Sequence, residues 1–451
     1  MRIIVIGDGK VGRAIIEHIC QEGHEVVVID KNPDVVEEMI NQYDVMGITG
    51  NGASYEILEN AGVSRSDLVI ASTSSDELNI LSCIFSKKLG AKATVARVRS
   101  YEYDKQRDLM KDDLGITLTI NPESEAANEI FRVLTFPEAT KVDTFANGKV
   151  DLIELFVPEK SPLIGKRLLE LQKAYNVKVL VCAVSRGDEV IIPDGSFVFQ
   201  EGDKINVTAQ RSELKTFLNK LGLIESAIKS VLIIGGGKIT HYLAQELLKS
   251  KFEVKIIEKD RNRCLELAES LPGVSIINGN GTDQTILTEE GIYDCDALVS
   301  LTGIDEENII ISMYANSIGV HKIIAKVNNP SFAKLMKSID VASVISPKAV
   351  TAAKTLRYIR ATNNARGNNI VNLYKIVNGK AEAIEFIAKE DHKMLNVPLK
   401  DLTLKKNVLI GGIIRNDEVI IPSGIDVLKL NDRVIVVCAD QYLDDLSDIL
   451  A

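Results

Sequence analysis

A glycine-rich segment near the beginning of the chain has the residue types and spacing of an anion-binding turn. Gly7, Gly9 and Gly12 form the pattern G-x-G-x-x-G between an apolar stretch and a helical pattern. The first glycine permits a tight turn, the second lets a pyrophosphate approach the backbone, and the third lets the helix pack against the strand. The free N–H groups and the dipole at the start of the helix also favour an anion.

Asp30 extends this pattern from an anion to a nucleotide. It ends the next apolar stretch, where a carboxylate can accept hydrogen bonds from both ribose hydroxyls and would repel a 2′-phosphate. The pattern therefore predicts a site for NAD(H), with ADP or ATP as the alternative nucleotides. A glycine turn with a purely structural role is the other interpretation.

The same design recurs in the second half of the chain. Gly235 and Gly237 correspond to the first two glycines and Glu258 corresponds to the acid, but Thr240 stands in place of the third glycine. A side chain there should hold helix and strand slightly further apart, so we expect weaker nucleotide binding at the second site. Neither copy is a P-loop, because Ser or Thr does not follow Lys10 or Lys238.

Further polar residues are predicted at the carboxyl edges of the two sheets, where ligands of such folds bind. Thr73 and Thr302 follow the fourth strands, and Arg97 and Lys326 end the fifth strands. Each of these two cations could face a nucleotide or could be a solvated charge at a strand end.

Four carboxylates could be acid–base or metal-binding groups. A position at the start of a helix, where a carboxylate interacts favourably with the helix dipole, explains them better. They are Asp76, Glu77, Asp305 and Glu306.

The search for catalytic groups is largely negative. Five histidines are present, no two at a metal-binding spacing, and the repeat reproduces none of them: His18, His24, His241, His321 and His392. A hydride-transfer enzyme would also need a separate domain to hold its substrate against the nicotinamide. We therefore expect no catalytic residue, no metal site and no enzyme activity. Two alternatives to a transporter subunit that binds a nucleotide without catalysis stay open: an NAD-dependent oxidoreductase, and a nucleotide sensor that acts on a transporter of a different kind.

The elements that must position these residues follow a doubly wound α/β pattern. Short β-branched stretches such as 3–6, 26–29 and 68–72 are typical of strands buried on both faces of a parallel sheet. Apolar residues at spacings of three and four lie between them and predict helices. Ser74 and Glu77 resemble a capping box that opens a helix from Asp76 to Leu89.

Each half continues into a different kind of sequence. Residues 178–210 read as short strands separated by turns, followed by a helix near 212–221, which predicts a small α+β domain. "DEVIIPDG" at 188–195 returns as "DEVIIPSG" at 417–424. Hence we predict two Rossmann-like domains, each followed by a small domain. The predicted boundaries are 1–139, 140–225, 226–366 and 367–451.

Composition narrows the class of protein. The 451 residues carry a net charge of -10, which provides no electrostatic surface for nucleic acid. No apolar stretch is long enough to span a bilayer, and the chain starts directly with a strand, so we expect neither a secreted nor a membrane-spanning protein. The six cysteines form no paired motif and are interpreted as reduced thiols of a cytoplasmic protein.

Several of these segments resemble the TrkA family, the cytoplasmic NAD-binding subunits of bacterial Trk potassium uptake systems. The resemblance covers essentially the whole chain. It rests on the segments "IIVIGDGKVG" (3–12), "TGNGASYEILENAGVSRSDLVIASTSSDELNILSC" (49–83), "VARVRS" (95–100), "FPEA" (136–139) and the duplicated "DEVIIPDG" and "DEVIIPSG".

This resemblance implies two RCK (regulator of potassium conductance) units per chain. They would form a homo-oligomeric ring on the inner face of the cell membrane, gating potassium uptake through a membrane-embedded channel-like partner without catalysis. The small domains would provide dimerisation or second-ligand surfaces. The implied nucleotide contacts are Gly7, Asp8, Gly9, Lys10, Val11, Gly12, Asp30, Asn51, Thr73, Arg97, Gly235, Gly236, Gly237, Lys238, Ile239, Glu258, Asn280, Thr302 and Lys326.

Overall fold

The chain folds into two compact units, and each unit takes one segment from each half of the sequence. The computed structural model describes residues 1–7, 9–21, 23–139, 141–187, 189–223, 228–338, 341–364, 370–377, 380–389, 393–416, 418–441, 443 and 445–451. Asp8 and His392 lie outside these residues. The first unit consists of Met1–Leu134 and Ile228–Leu356, and the second of Thr135–Ala227 and Arg357–Ala451.

The first half of unit 1 alternates strands and helices. Its elements are β1 (Arg2–Ile6), α1 (Lys10–Gln21), β2 (Glu25–Asp30), α2 (Pro33–Gln42), β3 (Met46–Thr49), α3 (Tyr55–Asn60), β4 (Leu68–Ala71), α4 (Asp76–Lys88), β5 (Ala93–Arg97), α5 (Tyr101–Asp104), α6 (Arg107–Asp112), β6 (Leu118–Ile120) and α7 (Pro122–Thr135). The strands form a six-stranded parallel sheet in the order β3-β2-β1-β4-β5-β6. The strand order reverses between β1 and β4, which is where such sheets bind ligands.

The small domain that follows in the chain belongs to unit 2 and contains β7 (Lys141–Phe145), β8 (Val150–Phe156), α8 (Leu168–Tyr175), β9 (Leu180–Arg186), β10 (Glu189–Ile191), β11 (Lys204–Ala209) and α9 (Arg211–Lys220).

The second half of unit 1 contains β12 (Ser230–Ile234), α10 (Lys238–Lys249), β13 (Glu253–Glu258), α11 (Arg261–Ser270), β14 (Ser275–Asn278), α12 (Gln284–Glu289), β15 (Ala297–Ser300), α13 (Asp305–Ser317), β16 (Lys322–Lys326), α14 (Pro330–Ser338), β17 (Ser343–Ile345) and the start of α15 (Pro347–Asn364). Its sheet repeats the first, in the order β14-β13-β12-β15-β16-β17.

Unit 2 also contains the strands of the second small domain, which are β18 (Ile370–Ile376), β19 (Ala381–Ile387), β20 (Val408–Arg415), β21 (Glu418–Ile420) and β22 (Arg433–Ala439). Both of its sheets have five strands and are antiparallel, in the orders β10-β9-β11-β8-β7 and β18-β19-β22-β20-β21. Residues from both sheets, such as Phe145 and Ala383, share one apolar core. The hydroxyl of Tyr374 donates a hydrogen bond to the carbonyl of Thr144 at 2.6 Å.

The two Rossmann-like halves of unit 1 share a core through helix α7. Ala126, Ile130 and Leu134 lie on one face of this helix and pack in the same cluster as Val231 and Ile233 of β12. The apolar face of α7 is therefore buried by the other half of the chain. The predicted fold class, two doubly wound domains each with a small α+β domain, is confirmed, whereas the predicted boundaries stay predictions.

One local prediction was wrong. The residue that caps helix α4 is Ser75, whose side-chain oxygen accepts a hydrogen bond from the Leu78 N–H at 3.2 Å. The predicted cap was Ser74, one residue earlier. Ser75 also donates its hydroxyl to the Glu77 carboxylate at 2.8 Å, so a Ser–Glu pair is present with a shorter spacing.

Among the described residues, no helix is both long enough and apolar enough to cross a lipid bilayer. The six cysteines form no disulfide, and four of them are buried.

Candidate nucleotide-binding sites

The first candidate site is a cavity of about 570 Å³ at the carboxyl edge of the first sheet. Gly7 has φ of +89°, and a Cβ there would stand 2.8 Å from Thr73 Cα. A Cβ on Gly12 would stand 2.2 Å from the Gly7 carbonyl oxygen. These two glycines are therefore required by the close packing of the turn. The cavity is lined by Ile6, Gly7, Gly9, Ile29, Asp30, Lys31, Asn32, Val35, Gly50, Asn51, Gly52, Thr73, Ser74 and Leu78.

The acid and the amide predicted for this site both line the cavity. A carboxylate oxygen of Asp30 accepts a hydrogen bond from the Asn32 N–H at 2.9 Å, which fixes the end of β2. The side-chain oxygen of Asn51 accepts one from the Ala53 N–H at 3.0 Å. Both side chains therefore lie in the same cavity as the glycine turn.

Thr73 lines the cavity, but Arg97 does not. The Arg97 guanidinium turns back and donates to the Thr73 carbonyl at 2.9 Å, so it supports the loop that carries Thr73. Burial and the neighbouring Arg99 lower the pKa of Arg97. In this structure Arg97 therefore supports the wall of the first cavity, and its contact with the nucleotide stays a prediction.

Asn79 supports the wall of the first cavity and was not singled out from the sequence. It is fully buried, and its side-chain oxygen accepts from the Thr73 N–H at 2.8 Å. Its amide nitrogen donates to the carbonyls of Thr73 and Arg97. Asn308 makes the same three contacts with Thr302 and Lys326. The signal was present, since both asparagines end the repeated segments "TSSDELN" and "TGIDEEN".

In each pair of carboxylates at the helix starts, the aspartate accepts hydrogen bonds from backbone N–H groups. Asp76 accepts hydrogen bonds from the N–H groups of Arg99 and Ser100, at 2.8 and 2.7 Å. Asp305 accepts the corresponding pair from Asn328 and Asn329, both at 2.8 Å. Each carboxylate therefore ties the start of its helix to the chain that follows the fifth strand.

The second candidate site is a smaller cavity, about 340 Å³, at the matching edge of the second sheet. It is lined by Ile234, Gly235, Gly236, Gly237, Ile257, Glu258, Lys259, Gly279, Asn280, Gly281, Thr282, Leu301, Thr302, Gly303, Ile304, Glu307 and Lys326. Lys326, unlike its counterpart Arg97, contributes to the lining. Burial lowers the pKa of Lys326, against the opposing effects of the carboxylates of Asp305 and Glu123.

The second glycine turn is held by charged side chains. The Gly236 N–H donates to a carboxylate oxygen of Glu258 at 2.6 Å, and the other oxygen of Glu258 accepts from the Asp260 N–H at 2.8 Å. Arg263 donates from Nε to the Gly236 carbonyl at 2.7 Å. One turn N–H is therefore already bonded to the acid that would hold the ribose.

Thr240 fits into the turn through a hydrogen bond. Its side chain is buried, and its hydroxyl donates to the Gly235 carbonyl at 2.5 Å. In the first copy the Gly7 carbonyl accepts instead from the hydroxyl of Ser72, at 2.9 Å. The carbonyl of the first turn glycine thus accepts a side-chain hydrogen bond in both copies, but from residues at different positions.

Among the described residues, the predicted contacts Val11, Lys238 and Ile239 fall outside the two linings. Val11 and Ile239 are buried, each with 8% of its surface exposed, so they serve the core beneath the helix. Lys238 lines a neighbouring cavity of about 290 Å³ with Tyr101 and His241. Asp8 and the side chain of Lys10 lie outside the described part of the structure.

The fold and the two matched cavities define a class of protein. This is a duplicated, doubly wound α/β protein with a glycine turn and an acid at each sheet edge, and with two small antiparallel domains. The TrkA-N domain model matches residues 3–122 and 231–347, and the TrkA-C domain model matches 152–222 and 383–451. The chain belongs to the TrkA family.

Relatives match the chain along its whole length. The "Trk system potassium uptake protein TrkA homolog" of Archaeoglobus fulgidus is 32% identical over 449 residues, covering 100% of both chains. The "Trk system potassium uptake protein TrkA" of Halomonas elongata is 32% identical over 447 residues, covering 98% of this chain and 96% of the relative.

A solved structure has the same fold. The GsuK channel bound to NAD superimposes with a TM-score of 0.63 at 18% identity, over 97% of this chain and 77% of that one. At this identity the comparison supports the architecture alone.

Proposed function

We propose that this protein is the regulatory subunit of a Trk-type potassium transporter. It binds NAD(H) or a related adenine nucleotide at its sheet edges and gates potassium uptake through a membrane-embedded partner. The observation that carries the proposal is the pair of matched cavities, each with a glycine turn and an acid, in a chain related along its length to Trk potassium uptake proteins.

The first cavity has the chemistry that an adenosine nucleotide needs. Gly9 leaves the turn open, because a Cβ there would approach nothing closer than 3.7 Å, so a pyrophosphate could come against the backbone. Asp30 and Asn51 stand beside it as partners for ribose and base. The names of the relatives and the NAD-bound channel of the same fold support this assignment.

Binding without catalysis fits the residues of the first cavity. Within the described part of the chain, the titratable side chains of its lining are Asp30 and Lys31, and Asp30 already accepts a backbone hydrogen bond at the end of β2. General acid–base chemistry on a nicotinamide would need a group held against the ring. We therefore propose a sensor, whose nucleotide is an effector and not a reactant.

Gating follows from linkage between binding and conformation. A nucleotide shifts the equilibrium only if it binds one conformation of the subunit more tightly than another. Several chains assembled as a ring on the inner face of the membrane would transmit that difference to the partner. The contact between Tyr101 and helix α10, where the ring of Tyr101 lies 5.3 Å from that of His241, joins the two halves of unit 1 that such a shift would move.

The test is reconstitution of the cognate membrane subunit in liposomes with and without this protein. Potassium flux that depends on the subunit, with no NADH oxidation or ATP hydrolysis by the purified chain, is the expected result. Flux that is the same in every condition, together with turnover of a nicotinamide substrate, would replace the proposal with an oxidoreductase.

A further inference from the structure

A further cavity, of about 290 Å³, lies within unit 1 between its two Rossmann-like halves, and we call it the junction cavity. Arg99 and Tyr101 line it from the first half, and Lys238, Tyr242 and Arg263 line it from the second. None of these five residues lines either nucleotide cavity. Its volume is close to the lower limit of small-molecule sites, roughly 300 Å³, so it has room for a small ligand.

The charged side chains of the described lining are mainly cations. Arg99, Lys238 and Arg263 carry three positive charges, and Glu266 carries one negative charge. Glu123, outside the lining, adds a second negative charge through its ion pair with Arg99. The positive charges still outnumber the negative ones. Like charges that share one cavity repel each other, so an anion between them would stabilise the cluster.

Each of the three cations keeps hydrogen-bond donors for a ligand. Arg99 uses Nε and Nη2 for Glu123, and Arg263 uses Nε for a backbone carbonyl and Nη1 for Glu266. Within the described part of the chain, no residue bonds to Nη1 of Arg99, to Nη2 of Arg263 or to the ammonium group of Lys238. Guanidinium and ammonium donors that line one space are the groups that bind phosphate oxygens most strongly.

The first copy of the repeat lacks this cluster. Val35 stands there at the position of Arg263, and Asn328 follows the fifth strand of the second half at the position of Arg99. Because both halves adopt the same fold, the fold itself does not require these two arginines. A ligand at the junction cavity gives a reason for them.

His241, which also lines the junction cavity, senses the electrostatic potential there. Burial lowers the pKa of His241, and the positive charges of Arg263 and Lys105 lower it further. Its ring nitrogens lie 3.2 Å from Nε2 of Gln245 and 3.5 Å from the hydroxyl oxygen of Ser270, which are both uncharged groups. The potential at this ring is therefore positive, which favours an anion beside it.

We propose that the junction cavity binds a small phosphate-bearing anion, held by Arg99 from the first half and by Lys238 and Arg263 from the second. This site goes beyond the proposed function, because it is separate from both nucleotide cavities. An anion bonded to both halves would stabilise the contact between them. Arg263 also holds the Gly236 carbonyl, so the second glycine turn would respond to occupancy of the junction cavity.

The test is calorimetric titration of inorganic phosphate into the full-length chain, without nucleotide and at constant ionic strength. Ribose 5-phosphate is titrated in the same way, and the tighter of the two shows whether the site takes the free ion or a phosphate ester. We expect saturable binding, and a dissociation constant that rises at least about tenfold in Arg99→Gln and in Lys238→Gln, because each variant removes a charge-assisted hydrogen bond. Lys238→Gln provides the readout if Arg99→Gln does not fold, since Lys238 is exposed.

A matched control and a second readout make the result specific. Lys249→Gln removes the same charge from the other end of α10, where the lysine side chain is 69% exposed, and should change the dissociation constant less than about twofold. Bound phosphate should also raise the pKa of His241, because a nearby anion favours the charged imidazolium. Proton NMR measures this shift, with His241→Gln to assign the resonance.

The absence of saturable binding for both phosphate compounds would overturn the proposal. So would phosphate binding that stays equally tight in Arg99→Gln and Lys238→Gln, since the ion would then lie elsewhere on the chain. Neither result bears on nucleotide binding, which is measured separately with NADH at the two sheet edges.

Discussion

The buried amide of Asn79 bonds to the carbonyl of Arg97 at 2.9 Å, and so joins the start of helix α4 to the end of strand β5 behind the first cavity. With its three hydrogen bonds to Thr73, this side chain fixes the loop that forms one wall of the site.

Replacing Asn79 by alanine should therefore destabilise the protein. The Thr73 N–H and the Arg97 carbonyl would each lose a hydrogen bond, while the Thr73 carbonyl would keep the one from the Arg97 guanidinium, and we expect a loss of about 2–4 kcal/mol in the free energy of unfolding. Chemical denaturation measures it, with Asn308→Ala as the matched change in the second copy. Asn60→Ala is the control on an exposed residue at the end of α3, and an equal effect of Asn60→Ala and Asn79→Ala would contradict the assigned role.

Asp30→Ala should weaken NADH binding at the first site. Loss of a carboxylate that accepts ribose hydroxyls costs about 1–3 kcal/mol, which calorimetry detects as a roughly 5- to 150-fold rise in the dissociation constant. Asp34→Ala, an exposed acid on the adjoining helix, is the control. Unchanged NADH affinity and continued rejection of NADPH would show that Asp30 does not select the ribose.

The glycines of the two turns should differ sharply in their tolerance of a methyl group. Gly12→Ala places a Cβ 2.2 Å from the Gly7 carbonyl, so the turn must shift and the first site should lose its ligand. Gly237→Ala meets nothing within 4 Å and should leave the thermal stability close to that of the parent chain. Melting curves for the two variants check this, and equal losses of stability would show that the packing of the first turn is not the cause.

The buried thiols should resist alkylation while the protein is folded. Burial raises the pKa of Cys83 and of Cys438 to about 12, so at neutral or mildly alkaline pH both stay in the unreactive thiol form. Reactivity should return only as the pH rises toward that value or as the chain unfolds. Mass spectrometry after iodoacetamide treatment, with a guanidinium-unfolded sample as the control, gives the answer. Rapid labelling of Cys83 in the folded protein would mean that the core beneath the first sheet is open.

The repeat made much of this architecture predictable from the sequence. Two β-branched strand patterns with the same glycine turn and acid specify two parallel sheets, and the carboxyl-edge rule then places Asp30 and Thr73 together, while Asn51 was implied by the family resemblance. The apolar stripe of α7 could be recognised as buried, but its periodicity does not name the surface that covers it. That surface is the second sheet, brought close only by the tertiary fold.

The side chains that support the two glycine turns were less predictable, for a similar reason. Arg97 ends its strand as predicted, but the rotamer that bonds to the Thr73 carbonyl depends on a loop conformation that the sequence does not reveal. The Arg263 contact to Gly236 likewise depends on how α11 packs beside the turn. Side chains that support a turn from another element are the part of a site that spacing rules cannot place.

The most direct test of nucleotide-controlled gating is potassium flux through the reconstituted transporter, compared between the parent chain and a variant carrying both Gly9→Asp and Gly237→Asp. A negative side chain where the pyrophosphate must lie should remove binding at both sites without disturbing the fold. We expect flux that responds to NAD+ or NADH with the parent subunit, and flux that is indifferent to either with the double variant. An equal response from both proteins would contradict nucleotide control through these two sites.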